Sequence, residues 1–316
     1  MGMKLTLIPS NTLPVFSTFP NRYSLPEKLT VQSRDGDVSM LDELPEQGLA
    51  IVGSRLPQMR SIELLTQVMQ DLRHTRLIIV SGFARGIDAK AHELAIESGL
   101  RTIAILGCGI NRNYPQENEG LRRKILEAGG LVISQFEDEA QPLAQNFYNR
   151  NGTIAGFSKA TWVVEAAAVS GTLNTAKWAT DLDRDLYATS CFPTDCHYQG
   201  NVKLLSQKDS DRYSVAQGFY GVQSLGATWG DLDDPDRFQN RLALNASPKS
   251  DIQRWVLELQ SVSGVCHVQA LMEHASKKGY TLGKFYHLFE AEVDAGMLKH
   301  DENGRVAFGS WITSES

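Results

Sequence analysis

Residues 77–88 read LIIVSGFARGID, and this stretch decides the fold. Its first four residues, Leu77–Val80, are an apolar run of the length that is typical of a buried strand. A turn containing Gly82 and Gly86 follows, and residues 88–98 then have a helical pattern that stops near Gly99. A strand, a glycine-rich turn and a helix in this order indicate a unit of a parallel α/β sheet.

The same unit recurs on both sides of this stretch. Strands are predicted at 49–52, 77–80, 102–106, 131–134, 162–164 and 186–188, and helices at 61–73, 88–98, 118–128, 151–157 and 173–180. Near-continuous apolar strands that alternate with helices are typical of a sheet covered on both faces. The sequence therefore predicts an α/β fold with a doubly wound, mainly parallel sheet.

We divide the chain into four segments. Residues 1–47 form an N-terminal extension with weak patterns, 48–208 the sheet domain, 209–249 a linker rich in glycine and aspartate, and 250–316 a second unit. The second unit has three helical patterns and a possible hairpin after Asn303-Gly304, which resembles a winged helix. It is acidic, so we expect a protein-interaction or packing module there and no DNA binding.

The amino-acid composition excludes several classes of protein. The 316 residues are 42% hydrophobic and 22% charged, which excludes a disordered chain. No apolar run is long enough to cross a membrane, and the N-terminus does not resemble a secretory signal. Four cysteines are too few for a disulfide scaffold. We therefore expect a cytoplasmic protein with reduced thiols. The net charge is -6, and a nucleic-acid ligand would therefore need a local site.

Glycine-rich breaks after the strands are the main functional signal. Ligands of doubly wound folds lie beyond the carboxyl ends of the strands, where backbone N–H groups at helix starts bind anions. We expect Arg55 and Arg150 to fork onto phosphate oxygens there. The candidate phosphate-binding and nucleic-acid-binding residues are Gly53, Ser54, Arg55, Gly82, Arg85, Arg150, Asn151, Ser170, Gly171 and Thr172.

Other chemistries have less support. No Gly-Lys-Ser/Thr exists and the G-x-G-x-x-G spacing is absent, so ATP hydrolysis and NAD chemistry are not expected, and we predict neither a cofactor nor catalysis. Asp88 and His92 share a helix face and could be an acid–base pair, but we favour a structural hydrogen bond that fixes the loop at Gly86–Asp88. For Glu165 we favour capping of the loop N–H groups that follow it over catalysis.

A metal site is not expected. Cys191, Cys196 and His197 lie close together in sequence, but no fourth ligand has a usual spacing. We predict free thiols there.

The order of several motifs resembles the DNA-processing protein A (DprA/Smf) family. The motifs span about residues 49–206 and are 51–55, 80–88, Ala91-His92, 102–109, Tyr114-Pro115, Phe147, Arg150-Asn151, 154–158, 163–166 and 170–176. The resemblance implies an extended Rossmann-like domain that binds single-stranded DNA, protects it and helps to load a RecA-type recombinase during transformation. It also implies a homodimer without catalytic activity, in which the loop of Gly53, Ser54 and Arg55 contacts phosphate.

The chain departs from the family pattern at several positions. Gly152 stands where the family has the second arginine of Arg-Asn-Arg, Gln135 replaces a glutamate, and Ser190-Cys191 replaces Pro-Gly. The helical domain at the front of many members has no counterpart in residues 1–47.

Three functions follow. The first is a single-strand binder and recombination mediator, in which Phe83, Phe147 or Tyr148 either stack on bases or pack in the core. The second is a nucleotide-sensing protein, for instance in phage defence; the related phosphoribohydrolases carry a glutamate after Gly171-Thr172, which this chain lacks. The third is an interaction scaffold with a vestigial pocket.

Overall fold

The structure is a computed structural model that describes residues 3–13, 16, 19, 26–191, 194–206, 216–229, 251–252, 255–256, 259, 266–294, 298–300 and 305–308. The chain divides into two compact units. The first comprises Met1–Thr189 and Cys196–Asp234, and the second comprises Ser190–Asp195 and Pro235–Ser316.

A nine-stranded sheet forms the centre of the first unit. Its strands are β1 (Lys4–Pro9), β2 (Lys28–Ser33), β3 (Gly48–Val52), β4 (Ile78–Ser81), β5 (Arg101–Leu106), β6 (Leu131–Ser134), β7 (Ala160–Val163), β8 (Asp185–Thr189) and β9 (Gln217–Phe219). The spatial order is β1-β2-β6-β5-β4-β3-β7-β8-β9. Strands β3 to β9 pair in parallel, whereas β1 and β2 are antiparallel to each other and β2 is antiparallel to β6. The predicted doubly wound, mainly parallel sheet is confirmed.

Helices connect the parallel strands. They are α1 (Met59–Leu72), α2 (Ile87–Glu97), α3 (Glu119–Glu127), α4 (Ala144–Gly156), α5 (Thr172–Asp181) and α6 (Gln199–Ser206). In β5, Ile103 and Ile105 belong to a core cluster with residues of α4 and α5, while Ala104 and Leu106 belong to a cluster with residues of α3. Because successive side chains of a strand point to opposite faces, a strand covered on both faces must be apolar throughout. This explains the continuous apolar runs in the sequence.

The strand order reverses between β3 and β7. After β3 the chain builds β4, β5 and β6 on one side, and then returns to place β7 and β8 on the other side of β3. The loops that leave β3 and β7 diverge from this point, which leaves a crevice at the carboxyl ends of the strands. The first loop carries Gly53, Ser54 and Arg55, and the second carries Ser170 and Gly171.

The N-terminal extension contributes to the sheet, which the sequence pattern did not indicate. Strands β1 and β2 form a hairpin, and Leu29 and Val31 of β2 are fully buried in the main core. On the edge strand β1, by contrast, Leu5 and Leu7 are exposed. Lys4, Leu5, Thr6 and Leu7 do alternate between polar and apolar residues, but β1 is short and lies outside the repeated strand–helix unit by which the other strands were recognised.

Two further elements differ from the expectation. The short strand β9 lies inside the predicted linker, where the ring of Phe219 stacks on Trp162 with their centroids 4.0 Å apart. Helix α4 is also longer than predicted, because it begins at Ala144 rather than near Asn151. Its first two turns carry polar residues on exposed positions, so the apolar pattern was visible only in its second half.

The second unit contains a small antiparallel sheet and helices. Its described elements are β10 (Cys266–His267), α7 (Val268–Lys277), α8 (Leu282–Asp294), β11 (Leu298–His300) and β12 (Arg305–Phe308), and the strand order is β10-β12-β11. Residues 251–252, 255–256 and 259 are helical. Leu271, Phe285 and Phe289 pack in its core. A winged helix stays a prediction for this unit, and the predicted boundaries of the four segments remain predictions too.

Within the described residues, no helix has the length and apolar character needed to cross a membrane.

Candidate nucleic-acid interface

The loops after β3 and β7 meet at the reversal of the strand order. The hydroxyl of Thr172, the first residue of α5, donates to the carbonyl oxygen of Gly53 over 3.1 Å. The Ser170 hydroxyl accepts from the backbone N–H of Thr172 at 3.2 Å, and the Ser54 hydroxyl accepts from the N–H of Leu56 at 3.1 Å. The structure thus brings both predicted loops together. Gly171, the last residue before α5, is exposed.

Arg55 is the exposed cation of this edge. Its guanidinium carbon lies 6.0 Å from the centre of the Phe147 ring. In the part of the chain that the structure describes, no carboxylate forms an ion pair with Arg55. Its charge is therefore available to an anion from solution.

Arg150 is not available in this way. It is only 5% exposed, and one of its terminal nitrogens donates to the carbonyl oxygens of Gly82 and Ile105, while Nε donates to the Asn151 side chain at 3.1 Å. Burial lowers its pKa to about 10, so it stays charged at neutral pH. We expected Arg150 to fork onto phosphate; in the structure it instead satisfies carbonyl groups at the carboxyl ends of β4 and β5.

Asp88 lies beside Arg150 in the same buried layer. Its carboxylate accepts from the N–H of Ala84 at 3.4 Å. Burial raises the pKa of Asp88, and the charge of Arg150 opposes that increase. Gly82 separates the two groups: a Cβ at this position would be 2.6 Å from an oxygen of Asp88 and 2.8 Å from a nitrogen of Arg150. The glycine is therefore required by its neighbours rather than by its own conformation.

His92 is structural, but it bonds to Thr102 of β5 rather than fixing the loop at Gly86–Asp88, where Asp88 accepts from Ala84 instead. Thr102 donates its hydroxyl proton to the carbonyl oxygen of Ile79 at 2.9 Å, so Nδ1 of His92, 2.7 Å from the same hydroxyl oxygen, must be the donor of the second bond. Nε2 has no hydrogen-bond partner and the side chain is fully buried, which lowers its pKa to about 3. A neutral imidazole with one fixed proton is not an acid–base catalyst near neutral pH.

Glu165 caps a helix, but not the loop we expected. Its carboxylate accepts from the backbone N–H of Gln58 at 2.8 Å and from the Ser61 hydroxyl at 2.6 Å. Both donors lie at the start of α1 and come more than a hundred residues earlier in the chain. Spacing in sequence could not reveal this contact, because only the pairing of β3 with β7 brings the two segments together.

Two more predicted residues, Arg85 and Asn151, lie at different depths of this edge. Arg85 is exposed and forms an ion pair with Glu117. An exposed pair of this kind is weak and is readily exchanged for another anion. Asn151 is buried, and its side-chain nitrogen donates to the carbonyl oxygen of Gly171 at 3.4 Å. Asn151 therefore supports the loop before α5 rather than facing solvent.

The three aromatic candidates differ in their exposure. Phe83 packs in the core with residues of α3, so it is not a stacking residue. Phe147 is half-buried over Gly107, and a side chain at Gly107 would overlap its ring. The ring of Tyr114, which is 41% exposed, has its centre 5.7 Å from that of Phe147. Tyr114 was not among the predicted site residues, although the Tyr114-Pro115 motif contained it.

The possible metal ligands Cys191, Cys196 and His197 form no such site. Across the described residues, no group of three or more His, Cys, Asp or Glu side chains is arranged to hold a metal ion. Cys196 is an exposed free thiol, and Cys191 is partly exposed.

Comparisons with known proteins agree on one family. The family model described as DNA recombination-mediator protein A matches residues 16–219. The chain is similar to Protein Smf of Escherichia coli, with 40% identity over 140 residues that cover 44% of this chain and 37% of the relative. It is also similar to DNA processing protein DprA of Streptococcus pneumoniae, with 38% identity over 173 residues that cover 52% of this chain and 61% of the relative.

Protein Smf of Synechocystis is 38% identical over 158 residues, which cover 50% of this chain and 39% of the relative. In each of these three curated relatives the match spans less than two thirds of the relative's length.

Two solved structures share the fold. DNA processing protein A from Streptococcus pneumoniae has a TM-score of 0.61 and 29% sequence identity, over 71% of this chain and 74% of that one. DNA processing protein A from Helicobacter pylori, whose structure is described for its single-stranded DNA binding mode, has a TM-score of 0.60 and 26% identity, over 71% of this chain and 95% of that one. With the family model matching more than half of its residues, this chain belongs to the DNA-processing protein A (DprA/Smf) family.

Proposed function

We propose that this protein binds single-stranded DNA at the carboxyl edge of its sheet, without catalysis. The observation that carries this proposal is the exposed guanidinium of Arg55 beside the ring pair of Phe147 and Tyr114, at the point where the strand order reverses. A cation next to accessible aromatic rings suits a nucleotide, because the cation attracts the phosphate while a ring stacks on the base.

The phosphate is proposed to lie between the two loops. Gly53 and Ser54 follow β3, and Ser170 and Gly171 precede α5, which has ten residues. The backbone N–H groups of Thr172, Leu173 and Asn174 are bonded to Ser170 and Gly171, so the start of α5 adds only the positive end of its helix dipole to the attraction of Arg55 for an anion. Arg150 and Asn151 act one layer below, where they fix the strand ends and the loop.

A single strand fits this edge better than a duplex. Bases of a duplex are stacked on each other, so their faces cannot reach Phe147 or Tyr114. The acidic net charge of the chain, -6, gives no general attraction to DNA, and binding must therefore come from these local contacts.

The proposal extends to the cellular role. Protection of single strands and assistance in loading a RecA-type recombinase, by a homodimer, are supported by membership of a family described as DNA recombination mediators. The measurement that tests this part is the rate at which a RecA-type recombinase assembles on single strands, with and without this protein.

Binding to a labelled oligo-dT of a few tens of nucleotides, followed by fluorescence polarisation, tests the site. We expect the wild type to prefer the oligonucleotide to a duplex of equal length, and Arg55→Ala to lose most of this binding. Arg73→Ala is the matched control, because Arg73 is an exposed arginine at the far end of α1, near the opposite edge of the sheet. Equal loss in both variants, or no binding at low salt, would contradict the proposal.

The second candidate function is a sensor of free nucleotides. It is favoured by the open surroundings of Gly171, where a Cβ would meet no atom within 4 Å. If the oligonucleotide does not bind at low salt but a mononucleotide binds through Arg55, this second function replaces the first.

A further inference from the structure

Helix α4 places two aromatic rings side by side in sequence but towards different neighbours. Phe147 contacts Gly107 and approaches the guanidinium of Arg150, three residues later, at 5.6 Å. Tyr148 instead faces α5, as does Asn151, which is again three residues later. Residues three apart share a helix face, so the two rings belong to two faces of α4. Only the first ring adjoins Arg55.

Tyr148 is held firmly while its ring stays accessible. Its carbonyl oxygen accepts from the side-chain nitrogen of Asn174 at 3.2 Å and from the indole N–H of Trp178 at 3.3 Å. Its ring lies with its centre 6.3 Å from that of Trp178, tilted by 56°. Trp178 is buried, whereas Tyr148 is 43% exposed. The two hydrogen bonds hold the backbone of Tyr148, and the contact with Trp178 restricts its ring on one side, which reduces the conformational freedom lost when a ligand stacks on it.

Gly152 makes this arrangement possible. A Cβ at this position would be 3.0 Å from three atoms of the Trp178 indole. The indole therefore fits against α4 only because position 152 has no side chain. This is the position at which the family pattern has its second arginine.

The ring is also close to the proposed phosphate loop. Asn174 links the two directly, because its backbone N–H donates to the carbonyl oxygen of Gly171 at 3.1 Å while its side chain donates to that of Tyr148. The exposed Gly171 has open space around it. A nucleotide whose phosphate lies at Ser170–Thr172 could thus place its base towards Tyr148.

We propose that Tyr148, supported by Trp178, forms a second nucleobase subsite on the face of α4 next to the one that carries Phe147. Its ligand is an unpaired base of the same single strand whose phosphate contacts Arg55. This inference rests on the proposed function, which it extends by a second point of base contact. It also gives Gly152 a role, since the absence of a side chain there lets the Trp178 indole pack against α4.

The test compares Tyr148→Ala with Tyr148→Phe on the full chain. We expect Tyr148→Ala to weaken binding of labelled oligo-dT about tenfold at fixed salt, as is typical of one lost stacking contact. Tyr148→Phe keeps the ring and is expected to bind as the wild type does. The salt dependence is expected to be the same in all three, because no charge changes.

A matched oligonucleotide without bases separates stacking from a structural role. We expect Tyr148→Ala and the wild type to bind this abasic strand equally. The subsite is overturned if Tyr148→Ala loses affinity equally for both strands, if Tyr148→Phe also loses affinity, or if Tyr148→Ala loses none. In each of these cases, binding by the wild type still upholds the proposed function. Failure of the wild type to bind any single strand would overturn both.

Free dTMP distinguishes the source of the base. If Tyr148→Ala weakens the binding of dTMP but leaves the oligonucleotide unaffected, the subsite belongs to a free nucleotide, and the single-strand subsite is overturned.

Discussion

The residues that define the edge of the sheet act in two layers. The outer layer contains Arg55 and Tyr114, which are open to solvent, and the inner layer contains Arg150, Asp88 and Gly82, which are buried. In the inner layer, Arg150 donates hydrogen bonds to buried carbonyl groups and its charge is balanced by that of Asp88, so none of these groups is left without a partner. This holds the outer loops in one conformation. A substitution in the inner layer should therefore change stability before it changes binding.

Gly82 allows this distinction to be measured. We expect Gly82→Ala to lower the free energy of unfolding by about 1–3 kcal/mol, because its methyl group overlaps both Asp88 and Arg150. Gly171→Ala is the control: its Cβ meets nothing within 4 Å and its backbone is helical, so a change within about 0.5 kcal/mol is expected. Urea denaturation of both variants measures these changes. Equal stability of the two variants would contradict the claim that Gly82 is required by Asp88 and Arg150.

His92 predicts a dependence of stability on pH. Its pKa is about 3 in the folded chain, against an ordinary value of 6.5 in an unfolded one, so the unfolded chain takes up a proton first as pH falls. The contribution of His92 to stability is complete above pH 6.5, the pKa in the unfolded chain, and it is lost progressively as pH falls below that value. Between about pH 7.5 and about pH 5.5, we expect the wild type to lose about 1.4 kcal/mol more than His92→Gln. Denaturant titrations at the two pH values measure the free energy of unfolding of both proteins. An equal loss in the wild type and in His92→Gln would exclude His92 as the cause.

The sequence indicated the loop of Gly53, Ser54 and Arg55, but neither Tyr114 in the outer layer nor the burial of Arg150 in the inner one. Gly53, Ser54 and Arg55 could be assigned because a glycine turn after an apolar strand marks the carboxyl edge of a parallel sheet. The burial of Arg150 could not be assigned, since an arginine in a polar helical turn is usually exposed. Its partners, the carbonyl groups of Gly82 and Ile105, come from other strands and have no signature in the sequence.

At the scale of elements, the hairpin of β1 and β2 extends the sheet beyond the parallel strands. It pairs with β6 and contributes Leu29 and Val31 to the same core that α4 and α5 cover. The parallel strands were predictable because burial on both faces makes them apolar throughout. The hairpin was not recognised, although Leu29 and Val31 alternate with Thr30 and Gln32, because its two short strands lie outside the repeated strand–helix unit that identified the others.

A pair of leucines tests whether the hairpin is part of the folded domain. Leu29 is fully buried, and we expect Leu29→Ala to cost about 2–5 kcal/mol of unfolding free energy. Leu7, 61% exposed on the neighbouring strand, serves as the control, and Leu7→Ala should change stability by no more than about 0.5 kcal/mol. Thermal and urea denaturation measure both. If Leu29→Ala proved as mild as Leu7→Ala, the hairpin would not belong to the core.

At the scale of the whole molecule, the acidic net charge and the cation at the edge of the sheet work in opposite directions. A chain of charge -6 repels DNA at long range, so its affinity must depend on a few close contacts. The salt dependence of binding reports the number of phosphates that these contacts neutralise.

We therefore expect a shallow dependence of affinity on salt. Loss of one phosphate contact in Arg55→Ala should reduce the slope of log K against log salt by about 0.7, the value for one contact on a single strand. Arg73→Ala should leave the slope unchanged. Polarisation titrations over a series of salt concentrations give these slopes, and an unchanged slope in Arg55→Ala would mean that Arg55 does not contact phosphate.

The central claim is that single-stranded DNA lies across the carboxyl edge of the sheet. Hydrogen–deuterium exchange of the full chain, with and without saturating oligo-dT, tests it most directly. We predict slower exchange in the loop after β3, at residues 53–58, and in the loop before α5, at residues 167–174, with no change at the opposite edge, at residues 73–77. Protection at the opposite edge alone, or none in either loop while the oligonucleotide is bound, would contradict the account.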